Sequence, residues 1–356
     1  MYDTDTASVS SALRSANSPV FTDATIRQII QLSTAGNSTV TFTTATPSAT
    51  GVVTVASGTD VAYVPTSGGT LTVNQAPPVV ILQGTAGANL VVGNTTDTNT
   101  GTHLVVGSAG NDNIVLQGQT NYSVVLGTGN STVVAGAGAD TVTAGLGNAT
   151  VVGGTSGHTI VKLTGAEADY TVTIVDGHAV INHTGPSGAA VQGAVSGAAA
   201  VAPNVSTDVS HVQYVQLDNN KALILAANEK QAAIASLFHA ALGRDATATE
   251  LQQWYDKGAA ATVQAAAAAL AATTEFQTLH GAQTDAAFIN SLYVNMFGRA
   301  PEAAGLDYWT AALHAGASRA ELAMDFAVIA GQHDAGTAVH VEAIVVGAVT
   351  IVPGIV

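Results

Sequence analysis

The feature that most constrains this chain is a short-period ladder between Gly107 and Val161, in which small residues mark turns and a β-branched residue returns at a fixed offset. In units starting at Gly107, Gln117, Leu126, Ala135, Ala144 and Gly153, the second position reads Ser108, Gly118, Gly127, Gly136, Gly145, Gly154. The eighth reads Ile114, Val124, Val133, Val142, Val151, Ile160. A unit so short cannot bury that residue alone, so the units must stack, strand over strand and turn over turn. The expectation is a parallel β-solenoid, a mainly β body. The ninth position, Val115, Val125, Val134, Thr143, Val152, Val161, is apolar too. Adjacent strand positions face opposite ways, so something is expected to cover the outer face.

The units resemble the RTX nonapeptide G-G-x-G-x-D-x-U-x of hemolysin-type calcium-binding proteins, most closely at Gly107–Ile114 and Gly136–Val142. That resemblance implies a β-roll whose turns hold one or two calcium ions, here through Gly110, Asn111 and Asp112 and through Gly138 and Asp140. The sixth position, which carries the family's carboxylate, reads Asp112, Tyr122, Ser131, Asp140, Ala149, His158. In the family's roll an ion lies between units two apart. Asp112 would then stack over Ser131 and Ala149, and Asp140 would lie between Tyr122 and His158, so no two carboxylates face one ion. Calcium takes six to eight oxygens. The alternative is a roll that keeps the shape without most of the metal, with Asn111, Asn130 and Asn148 making turn hydrogen bonds instead.

The 356 residues allow two or three domains. The net charge of −15 and scattered basic residues argue against nucleic acid as a partner. The absence of cysteine fits a secreted protein that needs no disulfides. Between Arg27 and Lys162 there is no Lys or Arg, and the acids are Asp60, Asp97, Asp112 and Asp140. So little repulsive charge leaves this surface free to associate with copies of itself, as a homo-oligomer or polymer. Met1–Ala16 shows neither a basic nor an apolar signal region. The RTX resemblance implies type I secretion through an uncleaved C-terminal signal, and hence an extracellular or cell-surface location. The apolar tail 337–356 is a candidate for that signal and is too short and interrupted to cross a membrane.

Residues 1–80 read as a helix near Thr25–Leu32 and several strands, forming a cap or small β domain; residues 81–163 are the solenoid. Residues 164–228 read as a connector with hairpins around Asp176-Gly177 and around Asp218–Lys221. From 229 to 336 the period becomes helical, and the segment repeats itself with a shift of 55 residues. Phe238…Leu242-Gly243-Arg244…Leu251…Trp254 matches Tyr293…Phe297-Gly298-Arg299…Leu306…Trp309. The second copy closely resembles a bacterial domain of unknown function with the signature Y-x3-L-G-R-x-P-x3-G-L-x-Y-W; the first has Glu250 where the signature has Gly. Such modules resemble those that hold secreted and surface-layer proteins to cell-surface polysaccharide, which makes Arg299, Asp307, Tyr308 and Trp309 a candidate glycan or headgroup site. The structural alternative places both Trp residues in the core and both Arg residues bracing turns.

Signals for catalysis are weak. The chain has no Gly-x-Ser-x-Gly elbow, no His-Glu-x-x-His and no phosphate loop. His158, His178, His183 and His211 are spaced to gather a transition metal only if the connector folds them together. The expectation is therefore a non-enzymatic, secreted structural protein of the bacterial surface, a surface layer, filament or matrix. A glycan-binding adhesin is the alternative, and a secreted hydrolase the third.

Overall fold

The computed structural model describes residues 2–15, 20–34, 39–96, 101–154, 159–176, 178–184, 205–218, 222–226, 229–256, 262–333 and 343–345. The chain divides into two compact units, Met1–Lys221 and Ala222–Val356.

The first unit opens with β1 (Tyr2–Asp5), α1 (Thr6–Ser15) and α2 (Asp23–Thr34). Asp5 caps α1, its Oδ1 accepting the N–H groups of Ala7 and Ser8 at 3.0 Å each. There follow β2 (Thr39–Thr44), β3 (Val61–Pro65), β4 (Thr70–Val73), β5 (Val79–Gln83), β6 (Asn89–Gly93), β7 (Thr102–Val106) and β8 (Asn113–Gln117). The series continues through β9 (Asn121–Val125), β10 (Ser131–Val134), β11 (Thr141–Thr143), β12 (Ala149–Val152) and β13 (Ile160–Lys162). An antiparallel hairpin of β14 (Tyr170–Val175) and β15 (His178–His183) precedes β16 (Ser206–Ser210) and β17 (Tyr214–Gln216).

From β3 to β13 consecutive strands alternate between two large sheets, and from β5 on each pairs in parallel with the strand two before it. Within this unit the first sheet runs β1-β2-β3-β5-β7-β9-β11-β13-β17, and the second, of eight strands, runs β14-β15-β16-β12-β10-β8-β6-β4. Parallel pairing begins where Phe42 meets Val61, well ahead of residue 81. The early strands lack the regular nine-residue spacing but keep glycines in their turns, Gly68 between β3 and β4 and Gly84 and Gly87 between β5 and β6, and keep the inward apolar residue. The inward row of the first sheet is Ala62, Val80, Val105, Val124, Val142, Val161, Val215. That of the second is Leu71, Leu90, Ile114, Val133, Val151, Val209, and all of these residues are buried. The last ladder unit is one residue longer than the sequence spacing suggested. Val161, not Ile160, faces inward, and Asp140 falls level with Thr159 rather than His158, which lies outside the described residues.

The turns are as tight as the glycine column requires. A Cβ at Gly127 would overlap the carbonyl oxygen of Ser108, and one at Gly145 would overlap that of Gly127. The expected cover exists on the first sheet. There Val9 and Leu13 of α1 and Ile26 and Ile29 of α2 pack with Phe42, Val61, Val79, Ile81, Leu104, Val106 and Val125. Each such buried isoleucine contributes about 1.5–3 kcal/mol relative to exposure. Of the two expected hairpins, the first is β14–β15, with Gly177 outside the described residues. The second is expected between β17 and the strand that follows it, residues 219–221 of its turn lie outside the described residues, and β17 also pairs in parallel with β13. The segment 185–204 also lies outside them, as does most of the tail.

The second unit pairs β18 (Ala222–Ala226) in parallel with β19 (Ala343–Val345), and its other described elements are helices. Its helices are α3 (Glu229–Leu242), α4 (Ala248–Asp256), α5 (Val263–Ala271), α6 (Thr274–His280), α7 (Asp285–Phe297), α8 (Ala303–His314) and α9 (Arg319–His333). Buried Ile234, Leu237, Phe238, Phe276, Phe288, Leu292, Met296, Leu322 and Phe326 make its core. The duplicated glycines do as their position after a helix predicts. Gly243 and Gly298 take left-handed φ of 67° and 61° and return an N–H to His239 and Val294. Among the described residues no helix is long and apolar enough to cross a membrane.

Candidate functional site

Three places carry unusual polar chemistry: the ladder turns, the second Gly-Arg turn with α8, and a cavity in the first unit. In the turns, Asp112 and Asp140 are 2% and 0% exposed. Asp112 Oδ2 accepts the Ser108 N–H at 2.7 Å, and its Oδ1 accepts the Ser108 hydroxyl at 2.8 Å and the Ala88 N–H at 3.0 Å. Asp140 accepts the Tyr122 N–H at 2.8 Å and the Gly136 N–H at 2.9 Å, one on each oxygen. Each carboxylate thus ties its own turn to the turn or strand stacked on it. Burial pushes the Asp140 carboxyl up to about 6, against the pull of those two N–H groups. It raises Asp112 in the same way, against the bonds from Ser108 and Ala88.

Along one edge of the stack runs a second set of braces. Asn111 Oδ1 accepts the Asn130 N–H at 2.8 Å, Asn130 Oδ1 that of Asn148 at 2.9 Å, and Asn148 Oδ1 that of Ser206 at 2.9 Å. Asn121 does the same for Ala139 at 2.7 Å. A cation needs oxygen lone pairs turned toward it, whereas here N–H and O–H donors occupy the carboxylates. Gly110, Asn111, Asp112, Gly138 and Asp140 as arranged fit hydrogen-bonded turns and do not fit a calcium ion. Among the described residues no group of three or more His, Asp or Glu is placed to hold a metal. His178 lies 3.4 Å from Asp208, His183 is buried in the cavity described below, and His211 takes a left-handed φ of 55°.

In the second unit, the first Gly-Arg turn is a closed ion-pair network. Arg244 bonds Glu250 at 2.7 and 3.0 Å and Glu275 at 2.7 Å through two nitrogens. Glu250, the departure from the signature, also accepts the Thr247 N–H at 2.8 Å and so closes a capping box on α4. In the second copy the carboxylate comes from Glu302, 2.7 Å from Arg299, whose guanidinium lies 5.6 Å over Tyr293 and 5.8 Å over Phe297. Trp254 packs edge-on against Phe238 at 5.5 Å and Trp309 lies tilted against Phe326 at 5.0 Å, but both are only half-buried and α8 has no buried residue, so neither lies in the core that the structural reading of the two tryptophans expects. Asp307 is exposed, and Tyr308, 67% exposed, stands edge-on to Trp309 at 5.0 Å. Four of the candidate residues are thus contributed by one turn and one surface helix.

The cavity encloses about 670 Å³ in the first unit. It begins where the helical cover of the first sheet ends. Thr22, Gln28 and Gln31 line one side, and the outward hydroxyls of Ser123, Thr141 and Thr143 line another. It extends past the turns at Leu126-Gly127 and Ala144–Leu146 to Tyr170, His183, Thr207 and Asp218. Tyr170 donates its hydroxyl to the Thr164 carbonyl at 2.6 Å, and burial with Asp169 and Asp218 nearby pushes that hydroxyl up. Tyr170 stands edge-on to His183 at 5.1 Å. His183 is 1% exposed, and among the described residues neither ring nitrogen has a hydrogen-bond partner. Sequence reasoning counted His183 among scattered histidines; only its register opposite Tyr170 puts it inside.

Residues 267–329 match the family described as DUF4214, a domain of unknown function. The match covers α6 to α8 and most of α9, and so contains Arg299, Asp307, Tyr308 and Trp309. Comparison with the curated proteins and with the solved structures gives no match.

Proposed function

We propose that the chain is a secreted structural protein of the bacterial surface, a β-solenoid of RTX-like shape with a helical C-terminal module, that self-assembles through its β unit. The observation that carries this reading is the outer face of the second sheet. Val91, Val115, Val134 and Val152 stand in register on four adjacent strands, only half-buried, beside a row of Asn89, Asn113, Thr132 and Thr150. With neighbouring strands about 4.8 Å apart, the valines form a continuous apolar stripe, and the row beside them meets a charge only at Asp208, next in register to Thr150. Among the described strands β14 is the edge of that sheet, with the uncharged sequence Tyr-Thr-Val-Thr-Ile-Val. Assembly on this face needs no metal at the turns, whose carboxylates already have donors.

The test is sedimentation and electron microscopy of the full chain across concentration, with millimolar calcium and with chelator. Growing assemblies that persist in chelator and vanish in a Val115→Lys, Val134→Lys double variant support the reading. A strictly monomeric protein under both conditions overturns it. The second reading, an adhesin for cell-surface polysaccharide, draws on the exposed Tyr308 beside Trp309 and Arg299. It expects Arg299→Ala and Tyr308→Ala to abolish cell binding while leaving the fold intact.

A further inference from the structure

We propose that the outer face of α8 is a second self-association surface, on which the helix pairs antiparallel with α8 of another copy of the chain. The pairing concerns the helical unit and stands whether or not the β unit assembles. A surface helix normally turns an apolar stripe inward and polar residues outward. Of the twelve residues of α8 only Asp307, Thr310 and His314 are polar, yet none of the twelve is buried. Leu306, Trp309 and Leu313, half-buried, make its inner face. Its exposed face carries Ala304, Tyr308, Ala311 and, just past the helix, Ala315.

The internal repeat provides the comparison. A shift of 55 residues sets Thr249 and Gln253 of α4 where α8 has Ala304 and Tyr308, and all four are exposed. In the first copy the inward Leu251 is 1% exposed and the outward positions are polar, as solvent requires. In the second the inward Leu306 is half-buried and the outward positions are apolar, with Tyr308 standing out most. One helix of the pair is dressed for water and the other for a neighbour.

Spacing and charge select the neighbour. Ala304, Tyr308, Ala311 and Ala315 recur at steps of four, three and four residues, the spacing of a two-helix seam. A two-fold axis through that seam sets Ala304 against Ala315 of the second copy, and each Tyr308 ring against the small Ala311 opposite. Asp307 and His314 stand one position before Tyr308 and Ala315, on the same flank of the seam. The antiparallel pair brings each Asp307 beside His314 of the second copy, whereas a parallel pair brings neither carboxylate to a histidine. His314 is free to turn, since its side chain is 73% exposed and lies 4.0 Å from Asp285, which Arg319 already holds at 2.9 Å. A membrane suits this face less well, because interfacial helices flank their apolar side with Lys and Arg and α8 has neither.

A pair of such helices spans about 18 Å and buries less than the ~1,200 Å² of a standard interface, so the contact is weak alone. Its consequence, unlike the pairing itself, rests on the β-unit reading. A face that pairs with its own copy closes at a dimer, and a second self-pairing face on the same chain lets dimers propagate.

The test is sedimentation equilibrium of the full chain carrying Val115→Lys and Val134→Lys, which block the β face, up to millimolar protein. The expected result is a reversible monomer–dimer equilibrium. Ala311→Glu, at an exposed position where glutamate is a good helix former, weakens it at least tenfold by putting an unpaired carboxylate into the seam. His314→Glu sets a carboxylate against Asp307 of the second copy and weakens pairing severalfold, and adding Asp307→Lys restores it. A monomer at every concentration overturns the proposal, as does a dimer that Ala311→Glu leaves intact or that the charge reversal fails to restore. Monomers that instead float with phosphatidylcholine vesicles give the face to a membrane and overturn it too. Assembly through the β face is read separately in Ala311→Glu alone, so failure of one reading leaves the other standing.

Discussion

Asp140 makes the fold of the first unit pH-dependent in a direction opposite to that of most proteins. Its carboxyl sits near 6 in the folded chain, against an ordinary 3.8, because burial outweighs the two N–H bonds it accepts. A raised carboxyl means that between about pH 4 and 6 the folded state holds a proton that the unfolded state has released. Stability must therefore rise as pH falls through 6 and level off below 4. Each pH unit across that window is worth about 1.36 kcal/mol, so the gain from Asp140 is about 3 kcal/mol, to which Asp112, also raised, adds in the same sense. Asp140→Asn removes the titration and keeps one acceptor, although its amide then faces one of the two N–H donors. Urea unfolding is followed by circular dichroism near 217 nm, to which both units contribute, and by Trp fluorescence, which reports on the second unit alone, so the part of the dichroism change that does not follow the fluorescence reads the β unit. The wild-type midpoint should rise from pH 7 to pH 4.5, and the slope should shrink by more than half in Asp140→Asn. A flat wild-type profile, or the same slope in the variant, refutes the assignment of a buried ionised carboxylate.

The asparagine ladder should contribute bond by bond: Asn130→Ala leaves the Asn148 N–H to solvent and should cost about 0.5–1.5 kcal/mol in the same melts. Gly127→Val should prevent the β unit from folding, since its side chain would occupy the Ser108 carbonyl, and loss of the 217 nm signal from soluble protein is the readout. Arg244→Ala should lower the stability of the helical unit by about 1–2 kcal/mol at pH 7, as followed by Trp fluorescence, the half-exposed pairs setting the lower end. The hydrogen bond from Arg244 holds Glu275 below its usual range. That contribution is present above pH 4.5 and lost as pH falls below it, so wild type and variant should converge by pH 3.

Period and glycine spacing were enough to locate the parallel strands from Asn113 to Val152, because each unit repeats the same steric demand. They were also enough to place Gly243 and Gly298 at helix ends. They missed α1, whose buried pair Val9 and Leu13 is brief and sits among serines and threonines. They also missed that β16 and β17 rejoin the two sheets, since a strand of three to five residues carries no period of its own. The carboxylates were found but their chemistry was not. Whether an aspartate in a turn meets a cation or a row of N–H groups depends on the backbone one layer away, as Ala88 and Tyr122 show.

The cavity was closer to legible than it looked. Read as one series, the ninth ladder position alternates between sheets and conceals two different columns. On the second sheet the outward column stays Val91, Val115, Val134, Val152. On the first it runs Ile81, Val106, Val125 and then changes to Thr143 and Lys162. The neighbouring column makes the same change, from Val79 and Leu104 to Ser123 and Thr141. Both columns turn polar where the cover of α1 and α2 gives out, although the second returns to Ile160 one layer on. A ladder that only had to avoid solvent could have turned polar from its first unit. One that keeps valine on the other sheet and replaces it with hydroxyls only here has two outer faces made for different neighbours, an apolar surface on one side and a hydroxylated one on the other.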